Sequence, residues 1–80
     1  MSYVLYDEFF WNDRSKRYHE VETTRFSSLE EAKDEMEYRY CMHMSGCKTS
    51  VILNRSAMIV YNDKNESYDR MRLYGIMEEA

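Results

Sequence analysis

The stretch SYVLYDEFFW, residues 2–11, decides how the rest of the chain is read. In a β-strand, successive side chains point to opposite faces. Tyr3, Leu5, Phe9 and Trp11 then share one face, and Val4, Tyr6 and Phe10 share the other. Both sets are apolar, so both faces of a sheet built on this strand need cover. The chain has 80 residues, enough for a single α+β domain over 1–80 that buries about 60% of its unfolded surface. Its net core contribution is roughly 3–5 kcal/mol. Such a chain can cover one sheet face with its own residues, and the cover for the second set of rings must come from elsewhere.

The next segments supply the partner strand and the cover. NDRSK (12–16) is a polar turn whose Asn and Asp tolerate left-handed backbone, and RYHEVETTR (17–25) reads as the second strand of a hairpin. SLEEAKDEMEYRYCMHM (28–44) is an amphipathic helix. Ser28 can cap it, and Glu31 stands where a capping box needs it. Leu29, Ala32, Met36, Tyr40 and His43 form one stripe at about 100° per residue, with Met44 beside them. Glu30, Glu31, Asp34, Glu35 and Glu37 lie opposite, and Gly46 suits the left-handed backbone past the helix end.

TSVIL (49–53) and AMIVY (57–61) are too short and too β-branched for helices. YDRMRLYGI (68–76) reads as a last strand, with Met71 and Leu73 on one face and Tyr68, Arg70, Arg72 and Tyr74 on the other. The predicted order is β-β-α-β-β-β, one helix packed across one face of an antiparallel sheet. The face carrying Tyr3, Leu5, Phe9, Trp11 and Val21 is expected to meet the helix. The other face is expected to carry Tyr6, Phe10 and Tyr18, joined by Tyr68, Arg70, Arg72 and Tyr74, as a partner-binding surface. Tyr and Arg dominate interface hot spots. Glu8, Glu20 and Glu22 are expected beside Tyr6 and Phe10, where they would repel phosphates. Tyr38 and Met42 offer a second apolar contact on the outer side of the helix.

Composition narrows the function classes. Fifteen acids against 11 bases give a net charge of −4, which disfavours gripping nucleic acid by charge alone. Aromatics on an open sheet beside Arg still allow single-strand stacking. Two glycines, Gly46 and Gly75, stand far apart, which excludes a glycine-rich phosphate loop. There is no proline, and hence no slow X–Pro isomerisation.

CMHMSGC (41–47) matches no zinc spacing, and on a helix Cys41 points away from His43, so no metal or cofactor is expected. A Cys41–Cys47 disulfide is geometrically conceivable, though rare in reducing compartments. No nucleophile–base–orienter set stands out, and no enzyme is expected. The acids at 30, 31, 34, 35 and 37 read as a solvated helix face or, alternatively, as a phosphate-mimicking contact face. No basic n-region and apolar h-region follow Met1, and no apolar run approaches about 20 residues. A cytoplasmic protein without membrane association is therefore expected.

The whole-chain order β-β-α-β-β-β, the acidic composition and the helix start FSSLEEAK (26–33) resemble small phage-encoded inhibitor proteins. The likeness is greatest to the compact anti-CRISPR proteins that bind bacterial effector complexes. The resemblance implies a non-enzymatic inhibitor acting by occlusion in the host cytoplasm on a protein or protein complex, and it assigns no functional residues. Self-association through the open sheet is compatible with the same reading, as is a small RNA-binding regulator.

Overall fold

A computed structural model describes residues 1–12, 17–61 and 69–79. The elements follow the expected order: β1 (Ser2–Asn12), β2 (Arg17–Phe26), α1 (Leu29–His43), β3 (Thr49–Ile52), β4 (Ser56–Tyr61) and β5 (Asp69–Glu79). The strands form one antiparallel sheet in the order β2-β1-β5-β4-β3. The terminal strands β1 and β5 are the central pair, in register from Ser2–Glu79 to Asn12–Asp69. The edges are β2 and β3, and α1 carries the chain from one edge to the other.

The helix starts where its cap predicts. The Ser28 hydroxyl accepts from the Glu31 amide at 3.2 Å, satisfying one of the orphan donors of the first turn. The reciprocal half of the capping box is absent, because the Glu31 carboxylate accepts from the Ser27 hydroxyl at 3.3 Å instead. Past the C-terminal cap at Met44, the Cys47 amide donates to the Met44 carbonyl at 3.1 Å. This turn places Gly46 at φ +75°, a conformation that favours glycine.

The core lies between α1 and one sheet face. Ala32, Met36 and Tyr40, at i, i+4 and i+8, meet Leu5, Ala57, Ile59, Tyr74 and Ile76. Ala32 and Ala57 are small and buried, which suits close approach of helix to sheet. Tyr40 donates to the Ser50 hydroxyl at 2.8 Å, and Tyr61 donates to the His43 carbonyl. At 1.5 Å per residue, the 15 residues of α1 span about 22 Å. The 11 residues of β1 span about 37 Å. The helix therefore covers one end of its sheet face, and the far ends of β1, β2 and β5 extend beyond it in a slab 44 × 23 × 15 Å.

Two expected face assignments are corrected. The β1–β2 pairing begins at Asn12–Arg17 and sets Trp11 against Tyr18 and Phe10 against His19, so Asn12 belongs to β1 and not to the expected turn over 12–16. A one-residue change in register moves every β2 side chain to the other face. Tyr18, Glu20 and Glu22 therefore share the helix-side face with Phe9 and Trp11, while Val21 stands beside Glu8 on the open face. In β5, Tyr74 and Ile76 enter the core, so Arg70 and Arg72 share the helix-side face and Met71 and Leu73 the open one.

Candidate protein-binding face

The face away from α1 carries many apolar side chains, and its rows follow from the register. Val21, Glu8, Leu73, Met58 and Val51 form one line across all five strands. His19, Phe10, Met71, Val60 and Thr49 form the next, and Thr23, Tyr6, Gly75 and Ser56 the line on the opposite side. Val51, Leu53 and Met77 are exposed at 41%, 63% and 59%. Tyr6, Met58, Leu73 and Gly75 line an open groove of about 730 Å³ with these three residues.

Charges on the open face sit mainly at its rim. Arg25 donates to both Glu79 carboxylate oxygens, at 2.9 and 3.1 Å, and this hydrogen bonding holds Glu79 below its ordinary value. Val4, flanked in the ladder by Arg25 and Met77, is only 3% exposed, although it belongs to the open face. Glu8 stands nearer the middle, 3.5 Å from His19, which is charged only if protonated. His19 also stacks on Phe10, with ring centroids 4.3 Å apart.

The helix-side face at the edge of α1 and beyond it is different. Asp7 is 7% exposed and lies 3.0 Å from Arg72 and 3.5 Å from Arg39. Arg39 also pairs with Glu35 at 3.3 Å and donates to the Thr24 hydroxyl. Arg72 lies over Phe9 at 4.9 Å, Arg70 over Tyr61 at 5.8 Å, and Trp11 stacks on Tyr18 at 4.6 Å. The Tyr74 hydroxyl is buried without a hydrogen-bond partner among the described residues. Desolvation, reinforced by Asp7, pushes its pKa well above the ordinary phenol range, so it stays protonated.

The structure thus brings together two of the seven expected contact residues, Tyr6 and Phe10, on the open face. Tyr18, Arg70 and Arg72 lie on the opposite side and Tyr74 is in the core, while Tyr68 lies outside the described residues. Of the acids, Glu30, Glu31, Asp34 and Glu37 are exposed and Glu35 is half-buried against Arg39. Met58, Leu73, Gly75 and Met77 were not anticipated in the face. Asp7 was also missed, although its parity with Leu5 and Phe9 points it inward.

Cys41 and Cys47 are free thiols. No group of three or more metal-binding side chains occurs among the described residues. No helix among them is long and apolar enough to cross a membrane. No protein-family model, curated protein or solved structure matches the chain.

Proposed function

We propose that the chain is a non-enzymatic protein-binding module that inhibits a larger complex by occlusion, with the open sheet face as its contact surface. The uncovered apolar groove between Tyr6, Val51, Leu53, Met58, Leu73 and Met77 carries this reading. Contiguous exposed apolar surface of this kind marks interaction sites. Met58 and Met77 in the groove, and Met71 elsewhere on the same sheet face, can repack against a partner. Its charged groups lie at the rim or singly, as in the apolar centre and polar edge of a protein interface.

A second reading rests on the stacked rings and arginines at the uncovered end of the helix-side face, a stacking platform for single-stranded nucleic acid. Asp7, Glu20 and Glu22 line the same corner as Phe9 and Arg72 and oppose phosphate there. Capture with the tagged chain from bacterial lysate, with and without nuclease, separates the two. A protein complex recovered in both conditions and lost with the Met58→Ser/Leu73→Ser variant is expected. Recovery that vanishes with nuclease and survives that variant would favour the nucleic-acid reading.

A further inference from the structure

Gly75 lies in the central strand β5 between Tyr6 of β1 and Ser56 of β4. A Cβ built there would meet nothing within 4 Å, and its backbone φ is not positive. The glycine is therefore not required by backbone conformation or by a neighbour's close approach. Its effect is to leave open space above the middle of the sheet face. Tyr6, Leu73, Met58, Leu53 and Met77 surround that space as the groove's walls, with the small Ser56 beside it. Glu8 is the only charged residue lining the groove among the described residues, and the group paired with it is an imidazole that is charged only if protonated.

Resting on the protein-binding reading above, we infer that Gly75 forms the floor of a socket for one bulky apolar side chain of a partner protein, presented beside a lysine or arginine that pairs with Glu8. The apolar walls recognise the anchor by burial, and the carboxylate selects the flanking base. A carboxylate desolvated at an interface is costly unless it is paired, so a partner without a cation at this point is disfavoured. A second copy of the chain answers the site poorly. It carries the same net charge of −4, and the open-face bases of β2, Arg17 and Arg25, lie towards its two ends, with Arg25 already held by Glu79.

The test uses the full chain and a library of short random peptides, selected on the wild-type protein. Peptides carrying a large aliphatic or aromatic residue adjacent to Lys or Arg should be enriched. Gly75→Val should fold with unchanged or higher melting, because a β-branched residue suits a strand and meets open space. It should bind the selected peptides roughly tenfold or more weakly. Glu8→Gln should keep the apolar preference and lose the preference for a flanking base. Equal binding by Gly75→Val and wild type would overturn the socket.

If Leu73→Ser weakens binding while Gly75→Val does not, the socket is wrong and the protein-binding reading stands. If no open-face variant alters binding of any selected peptide, both fail. A wild-type dimer by sedimentation velocity that becomes monomeric in Gly75→Val would also overturn the inference and assign the face to a second copy.

Discussion

Leu5 and Leu73 lie in neighbouring central strands of one sheet, yet Leu5 is fully buried and Leu73 lines an open groove. The difference lies in the layer above each residue. Leu5 faces α1 and belongs to one core cluster with Met36 and Tyr40. Leu73 faces away, where the described residues supply no second layer. Apolar character alone therefore does not mark the core of this fold. One face spends its apolar residues on stability, and the other leaves them available for contact.

The sharpest way to break that comparison is to truncate both leucines. Leu5→Ala should cost about 2–5 kcal/mol, as should Met36→Ala on the helix side. That loss is comparable to the whole net stability of a domain this small, so both variants should be largely unfolded. Leu73→Ala should cost less, about 1–2 kcal/mol, because Leu73 is only partly buried. Urea denaturation of the three variants decides the matter. Equal losses at Leu5 and Leu73 would mean that the open face is packed in solution.

A second comparison lies within the helix-side face, between its apolar half under α1 and its polar half around Asp7. Asp7→Asn removes the charge that holds Arg72 and Arg39, whose side chains are only 20% and 21% exposed. Two guanidinium groups would then face each other over a half-buried site. The expected cost is about 2–3 kcal/mol, within the range for breaking hydrogen-bonded charge pairs and below the loss at Leu5. A cost under about 0.5 kcal/mol would show that the network orients side chains without stabilising the fold.

These two comparisons also explain what the sequence revealed. The helix was legible because its cap, its acidic first turn and the stripe Ala32, Met36 and Tyr40 all agree. The strand order within the sheet was not, because no local signal inserts β5 beside β1. The faces of β5 were misread because DRMRLYGI carries apolar residues at both parities. Met71 and Leu73 outweigh Arg70 and Arg72 when the strand is averaged over its length. Averaging fails because α1 covers only one end: Tyr74 and Ile76 lie under it, and Arg70 and Arg72 lie beyond it on the same face.

Tyr18 was misplaced for a different reason. A four-residue and a five-residue connection are equally compatible with NDRSK, and the shift of one residue turns β2 over. The open groove was thus hidden twice, by the reversed faces of β5 and by a glycine that no turn required.

The smallest effect expected concerns His43, where the helix end meets the polar half of the face. A histidine in the last turn of a helix is ordinarily favoured in its charged form by the helix dipole. Here burial lowers its pKa below 6.5, and Arg72 and Arg39 lower it further, while Asp7 opposes them. Below pH 6.5 the unfolded chain therefore takes up a proton that the folded chain resists. Stability contributed by the neutral ring is complete above that pH, and is lost as pH falls from about 6.5 through the depressed folded value. An NMR titration should place the His43 ring below 6.5, and His43→Gln should flatten that segment of the stability–pH curve. Arg72→Gln should move the ring's titration upward, and Asp7→Asn should move it downward if the variant remains folded enough to titrate. A ring that titrates at or above 6.5 in the wild type would mean that Asp7 outweighs burial and the two arginines, and the polar half of the face would then be a net anionic site.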